Sequence, residues 1–478
     1  MASYFRSLHS LCIVFLCEQF PPVVWDGAGS YTATLAIALA KLGHEVHVVC
    51  AQGHRVVDTV QDGVHVHRRP LLRLPVSRGL GPIGDRLRGP LYPRDSISLR
   101  ASLPLSYTMW MRQLRLQPDV IETQDGETRG LMQAMARSRP LAIHLHCPTM
   151  LTVQLAGAPI GPKGRLADRL DRMSADLADV VTSPSQLLVD TLRDRGWLSG
   201  RSVEVIPNPF DAVPWLGIPD VSRTRPVIAT VGRLEAYKGV DVLLDASSRL
   251  RAAGVDHRLV LAGRPAGEIH GVPAGTWLER QARNLGLDVE FTGHLGGEQV
   301  REIYRRARVV AVPSRFESFS IAAAEAMAAG RPVVTTTRTG IAPFVQRWGG
   351  GAVVPVDDPA ALADALAPYL LDPARAAAVG AQGRAGVAEI DPMMIARRKE
   401  EAYRDAITGF AARSGAWRRR RIDPALLTLP PGSAPPTASP MTPSALPLPS
   451  TLPLPSTLPL PSTLPTVSEH PQDIHDTA

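Results

Sequence analysis

Short runs of β-branched and aliphatic residues alternate with stretches of helical apolar spacing along most of this chain, in two successive series. The run Leu11–Cys17 leads to the glycine-bearing segment Gly27-Ala28-Gly29. Ser30–Leu42 then repeats apolar residues at helical spacing until Gly43 stops it. Glu45–Cys50 and Gly63–His67 read as the next strands, followed by Asp119–Glu122, Leu141–Cys147, Val180–Thr182 and Val203–Ile206, with a helix over Leu166–Leu177. Pro207-Asn208-Pro209 breaks the series. A second starts at Pro226–Val231 and continues with strands Arg258–Ala262, Val289–Thr292, Val309–Val312 and Pro332–Thr336 and helices Val240–Ala253, Gln299–Ala307 and Ile321–Ala329. Strands of this kind, separated by helices, form parallel sheets covered on both faces. The spacing therefore predicts an α/β chain of two doubly wound, Rossmann-like domains facing a cleft, over 11–210 and 222–392. In such open sheets ligands bind beyond the carboxyl ends of the strands.

Composition narrows the class. A length of 478 residues suits more than one domain, and 45% hydrophobic residues exclude a wholly disordered chain. Four cysteines point away from a disulfide scaffold and toward a reducing compartment. Leu11–Cys17 is too short to span a bilayer, so it reads as a first strand and the protein as cytoplasmic. From Pro424 to Pro471 there are 15 of the 44 prolines, and Leu-Pro-Leu-Pro-Ser-Thr repeats at 446–451, 452–457 and 458–463. Proline at that density forbids helices and sheet ladders, so residues 423–478 read as a disordered Pro-rich tail.

Four acidic and no basic residues follow Arg421, so the net charge of +7 becomes +11 for the part before residue 422. Of the 52 cations only Lys41, Lys163, Lys238 and Lys399 are lysines. A basic body suggests an anionic partner. No aromatic-rich basic platform accompanies the charge, which argues against nucleic acid.

Two motifs carry chemistry. In Gly232-Arg233-Leu234-Glu235-Ala236-Tyr237-Lys238-Gly239, Arg233 and Lys238 share one strand-to-helix loop, and cations beside a helix N-terminus suit a diphosphate. In Phe316-Glu317-Ser318-Phe319-Ser320-Ile321, Glu317 precedes a helix. Glu325 lies about two turns farther on, alone among small apolar residues, and is costly there unless it accepts hydrogen bonds, for example from ribose hydroxyls. Pairing of Glu325 with an arginine is the plainer alternative. Gly27-Ala28-Gly29 lets backbone N–H groups approach an anion or simply makes a tight turn, and Thr32 stands where a dinucleotide fingerprint wants glycine.

On these residues the chain resembles the GT-B glycosyltransferases of family 4. VGRLEAYKG and FESFSIAAAEAMAAGRPVV are similar to that family's nucleotide-sugar site. The resemblance implies a retaining enzyme that needs no metal and no cofactor beyond its nucleotide-sugar donor. It implies that Arg233 and Lys238 neutralise the donor diphosphate, that Glu325 binds the ribose, and that Glu317 contacts the transferred sugar. Backbone at Ser318, Phe319 and Ser320 would assist; the family often has glycine at 318 and 320, which leaves the closeness of that approach open. Gly29 and His294 fall in donor-binding segments, IPNPFD (206–211) becomes the inter-domain crossing, and a last helix over Arg397–Phe410, within 393–421, returns to the N-terminal domain. The family's catalytic histidine matches His146, with His144, on the same face of the same strand, as a second-layer residue.

The acceptor is not written in these motifs. Arg68, Arg69, Arg73, Arg78, Arg86, Arg88, Arg94 and Arg100 face only Asp85 and Asp95 in 68–100. They form either a basic loop for anionic lipid, giving peripheral contact at the inner face of the membrane, or a solvated insertion; liposome flotation with and without anionic lipid separates the two. A non-catalytic nucleotide-sugar binder, a sugar-nucleotide epimerase and a phosphorylase remain as other uses of the same architecture.

Overall fold

The computed structural model describes residues 10–22, 27–71 and 96–417. The expected tail at 423–478 and most of the 68–100 arginines lie outside the described residues.

The first sheet is built from β1 (Cys12–Cys17), β2 (Glu45–Cys50), β3 (Val57–Gln61), β4 (Val64–Arg68), β5 (Val120–Gln124), β6 (Leu141–His144), β7 (Val180–Ser183) and β8 (Glu204–Val205). Its order is β3-β4-β2-β1-β5-β6-β7-β8, parallel except for the β3–β4 hairpin. The second uses β9 (Val227–Val231), β10 (Arg258–Ala262), β13 (Val289–Gly293), β14 (Val309–Val312), β15 (Val333–Thr336) and β16 (Gly351–Val354); β11 (Glu268–Ile269) and β12 (Val272–Pro273) form a separate hairpin. Its order is β13-β10-β9-β14-β15-β16, all parallel. β1 lies between β2 and β5, and β9 between β10 and β14, so the strand order of each sheet reverses beside the first strand of its series. The loops after β1 and β9 are therefore where a ligand is expected.

The central strands are nearly continuous apolar runs because both faces are covered: β1 and β14 are buried at every position. β3 differs. It is an edge strand with Val57 and Val60 exposed, and its sequence VDTVQ lacks the apolar run by which the other strands are read.

Three expectations need correction. Gly27-Ala28-Gly29 is not a loop ahead of a helix; it forms the first turn of helix Gly27–Lys41. β6 stops at His144, short of Cys147, because the His146 N–H turns to Asp125 Oδ1 (2.8 Å) and Pro148 has no N–H to offer a ladder. The last helix is longer than 397–410: it runs Pro392–Trp417, opened by Asp391, whose Oδ1 accepts from the Met393 N–H at 2.8 Å. It packs on the first sheet through Ala396, Tyr403 and Ala406, which share one core with Ile13, Phe15 and Val48. Among the described residues no helix is long and apolar enough to cross a membrane.

Candidate active site

The loop after β9 is folded tightly against the loop after β14. Gly239 closes it at φ 67°, where a Cβ would lie 2.0 Å from the Pro313 carbonyl oxygen, so only glycine lets the two segments meet. That approach brings Lys238 Nζ to 2.7 Å from Glu317 Oε1, which also accepts from Ser314 Oγ at 3.2 Å. Arg233 lies beside them. It donates to Glu235 Oε1 (2.8 Å) and Tyr237 Oη (3.0 Å), with its side chain 55% exposed. Each cation is thus held in place by a neighbouring acceptor.

Helix Ile321–Ala328 points its N-terminus at the same place. Ser320 precedes it at φ 99°, a conformation that favours glycine, and its hydroxyl does not cap the helix. The first N–H groups of that helix therefore face the cleft without an internal partner. Across from them stand Gly27 and Ala28, His146, Cys147 and Asn208 from the first half, and the whole encloses a cleft of about 380 Å³. Ser185 Oγ joins the halves by donating to the Ser318 carbonyl at 2.6 Å.

Of the residues expected in the site, Arg233, Lys238, Glu317, Ser318, Phe319, Ser320 and His146 all line this cleft. Gly29, His294 and Glu325 do not. Gly29 is buried inside its helix, His294 is exposed beyond β13, and Glu325 lies one helical turn behind Ile321, partly buried. Among the described residues Glu325 pairs with no arginine: its Oε2 accepts from Tyr304 Oη at 3.0 Å. Burial raises its carboxyl pKa to about 7, against the Tyr304 hydrogen bond that lowers it.

His146 sits past β6 with its ring edge-on to Tyr31 (4.8 Å) and His144 (4.9 Å), and its Nε2 is buried without a partner. Burial, with the positive charges of Arg129 and Lys399, pulls its pKa down to about 3, so at neutral pH it is an uncharged imidazole that exchanges hydrogen bonds rather than a cation. His144 is fully buried and stacks flat on Tyr31 at 4.2 Å. Asp125, which holds the His146 backbone, is pushed up to about 7 by burial. Beneath this wall Lys399 and Glu122 form an ion pair at 2.6 Å, 0% and 1% exposed. Tyr31 (2.8 Å) and Tyr403 (2.6 Å) also donate to Glu122. The sequence gives no sign of that pair: its members lie on β5 and the last helix. Asn208 reads from the sequence only as a chain break.

Among the described residues the group of metal-ligating side chains close enough to share an ion is Cys12, Glu45 and His47, on the first sheet and outside the cleft lining. There His47 Nε2 already meets Glu45 Oε1 at 3.0 Å.

The carboxyl groups of Glu325 and Asp125 hold their protons more tightly folded than unfolded. Their stabilisation is complete below the ordinary carboxylate range and is lost as pH rises through about 7. Glu325→Gln removes its share, so its melting temperature should fall less between about pH 5 and 8 than that of the wild type. Equal pH slopes would show that Glu325 titrates as an ordinary carboxylate.

Comparison with known proteins agrees with this geometry. Residues 26–209 match the "Glycosyl transferase 4-like domain" family model and residues 225–372 match "Glycosyl transferases group 1". The chain is 31% identical over 388 residues to a D-inositol 3-phosphate glycosyltransferase of Xylanimonas cellulosilytica, covering 75% of this chain and 87% of that one. It is 28% identical over 380 residues to a glycogen synthase of Mycobacterium tuberculosis, covering 76% and 87%. Among solved structures it is similar to sucrose-phosphate synthase of Thermosynechococcus elongatus, with TM-score 0.62 at 22% identity over 83% of this chain and 99% of that one. HepE of Anabaena, solved in complex with UDP-glucose, gives TM-score 0.58 at 19% identity over 81% and 98%. With both halves matched in order and the cleft between them, the chain is a glycosyltransferase that belongs to family 4 of the GT-B fold.

Proposed function

We propose that this cleft binds a nucleoside diphosphate sugar and transfers the sugar to an acceptor hydroxyl with retention at the anomeric carbon. The observation that carries the reading is the convergence of Arg233, the Lys238–Glu317 pair and the N-terminus of helix Ile321–Ala328 on one 380 Å³ cleft. Negative charge grows on the diphosphate as the anomeric C–O bond breaks. Two cations already in place and a helix N-terminus stabilise it there without reorganising. The acceptor oxygen forms the new bond on the same face, and its proton passes to the departing phosphate oxygen, so no base on the opposite face is needed. Glu317, beside Lys238, is placed to hold hydroxyls of the transferred sugar. Glu325, one helical turn behind Ile321, is the proposed partner of the ribose hydroxyls. The positive charge comes from side chains, so the reading requires no metal.

The test is a donor screen. UDP-, GDP- and ADP-glucose are incubated with the protein, and nucleoside diphosphate release is followed with and without glucan or inositol phosphate as acceptor. UDP-glucose, the ligand of HepE, is the first to try. Release of diphosphate from one donor in preference to the others is the expected result. Binding of a donor without any release would instead identify a non-catalytic nucleotide-sugar protein.

A further inference from the structure

Asn208 is 4% exposed and belongs to the crossing between the halves, yet it lines the cleft. The direction of its side-chain amide is set by a chain of hydrogen bonds in which each link runs only one way. The Lys399 ammonium has no lone pair and can only donate; it gives one N–H to Glu122 Oε2 at 2.6 Å and another to Thr182 Oγ1 at 2.9 Å. Thr182 accepts from Lys399, so its own proton goes to its other contact, His144 Nδ1 at 2.8 Å. Burial and the charge of Lys399 keep the His144 ring neutral. With Nδ1 accepting, the ring proton is on Nε2, which donates to Asn208 Oδ1 at 3.1 Å. The Asn208 carbonyl is therefore turned inward, and its two N–H bonds are turned toward the cleft.

We infer that Asn208 is a further substrate-contacting residue, donating from Nδ2 to a hydroxyl oxygen of the sugar carried by the donor, and that Lys399, Thr182 and His144 are the positioning residues that aim it. This rests on the nucleotide-sugar reading of the cleft. Within that cleft the diphosphate cations come from the second half, whereas Asn208 stands on the opposite wall with His146. A group there meets the transferred sugar between the diphosphate and the incoming hydroxyl.

The two claims separate by calorimetric titration of the full chain with UDP, GDP and ADP and with their glucose conjugates. Asn208→Leu removes the donor amide while keeping about the same volume and adding no charge to the cleft. It should leave affinity for the free diphosphate within about twofold and weaken the glucose conjugate by about tenfold, as expected for one lost hydrogen bond with an unpaired partner. Thr182→Val keeps the volume but interrupts the chain. It should weaken the conjugate by about threefold in the wild-type background and add nothing to Asn208→Leu. Unchanged conjugate affinity in Asn208→Leu, or equal losses for diphosphate and conjugate, would overturn the assignment of Asn208. Additive effects of the two substitutions would overturn the aiming chain. Wild-type protein that binds none of the three diphosphates would overturn the donor-site reading itself, and with it this inference.

Discussion

Lys238→Ala should lower turnover of the nucleotide sugar by about 10²–10³-fold while the protein melts almost as the wild type does. The two readouts differ because the residue works on charge rather than on packing. Lys238 and Glu317 keep 20% and 18% of their side-chain surface exposed. A pair that open contributes at most about 1 kcal/mol to folding. When a diphosphate leaves, the same ammonium faces growing negative charge in a partly enclosed cleft, where a lost donor costs about 2.7–4 kcal/mol of transition-state stabilisation. Truncation also leaves Glu317 as a bare carboxylate beside the phosphates, which adds repulsion. Lys238→Arg should restore little, because a planar guanidinium does not put its charge at the point where the compact ammonium meets Glu317. Steady-state rates with the donor found in the screen, set beside thermal melts, check both halves. Near-wild-type turnover in Lys238→Ala would remove this lysine from the chemistry.

Lys399→Ala should have the largest effect on stability, about 3–5 kcal/mol. The Lys399–Glu122 pair is shut off from water, and three donors meet on one carboxylate. Without Lys399, Glu122 keeps the two tyrosine hydroxyls but has no compensating charge, and Thr182 loses its donor. A loss of that size is a large fraction of a typical total of about 5–15 kcal/mol. The consequence is architectural as well. This pair ties the helix Pro392–Trp417 to β5 of the first sheet, so the last described helix is fastened to the first half. Glu122→Gln combined with Lys399→Met removes both charges and should cost clearly less than Lys399→Ala alone. Urea denaturation measures each variant. A loss below about 1 kcal/mol for Lys399→Ala would mean that water reaches the pair.

Where local sequence decides local structure, the strands were legible. β2, β10 and β14 run as their apolar β-branched spacing indicates, because burial on both faces leaves no other use for such a run. β3 escaped because an exposed edge strand needs no apolar pattern. Helices Pro359–Leu371 and Pro373–Gly386 escaped because alanine-rich sequence with internal proline and glycine shows little periodic contrast. That Arg233 and Lys238 meet at one cleft was legible from the six residues Arg233–Lys238 of one loop. The aiming of Asn208 was not. It depends on Lys399, Thr182 and His144 meeting across the first half, a fact of tertiary packing that no window of sequence contains. Against an arginine-rich background, both Lys238 and Lys399 are exceptions, and each holds a carboxylate as a compact point charge.

The most direct measurement is an experimental structure of the protein with the nucleoside diphosphate it binds. Diphosphate oxygens are expected within about 3 Å of Lys238 Nζ and the Arg233 guanidinium, against the N-terminus of helix Ile321–Ala328, with the ribose on Glu325. A diphosphate lodged elsewhere, such as the hollow lined by Arg223, Arg225, Arg258, Arg305 and Arg306 at the opposite ends of β9 and β10, would contradict it.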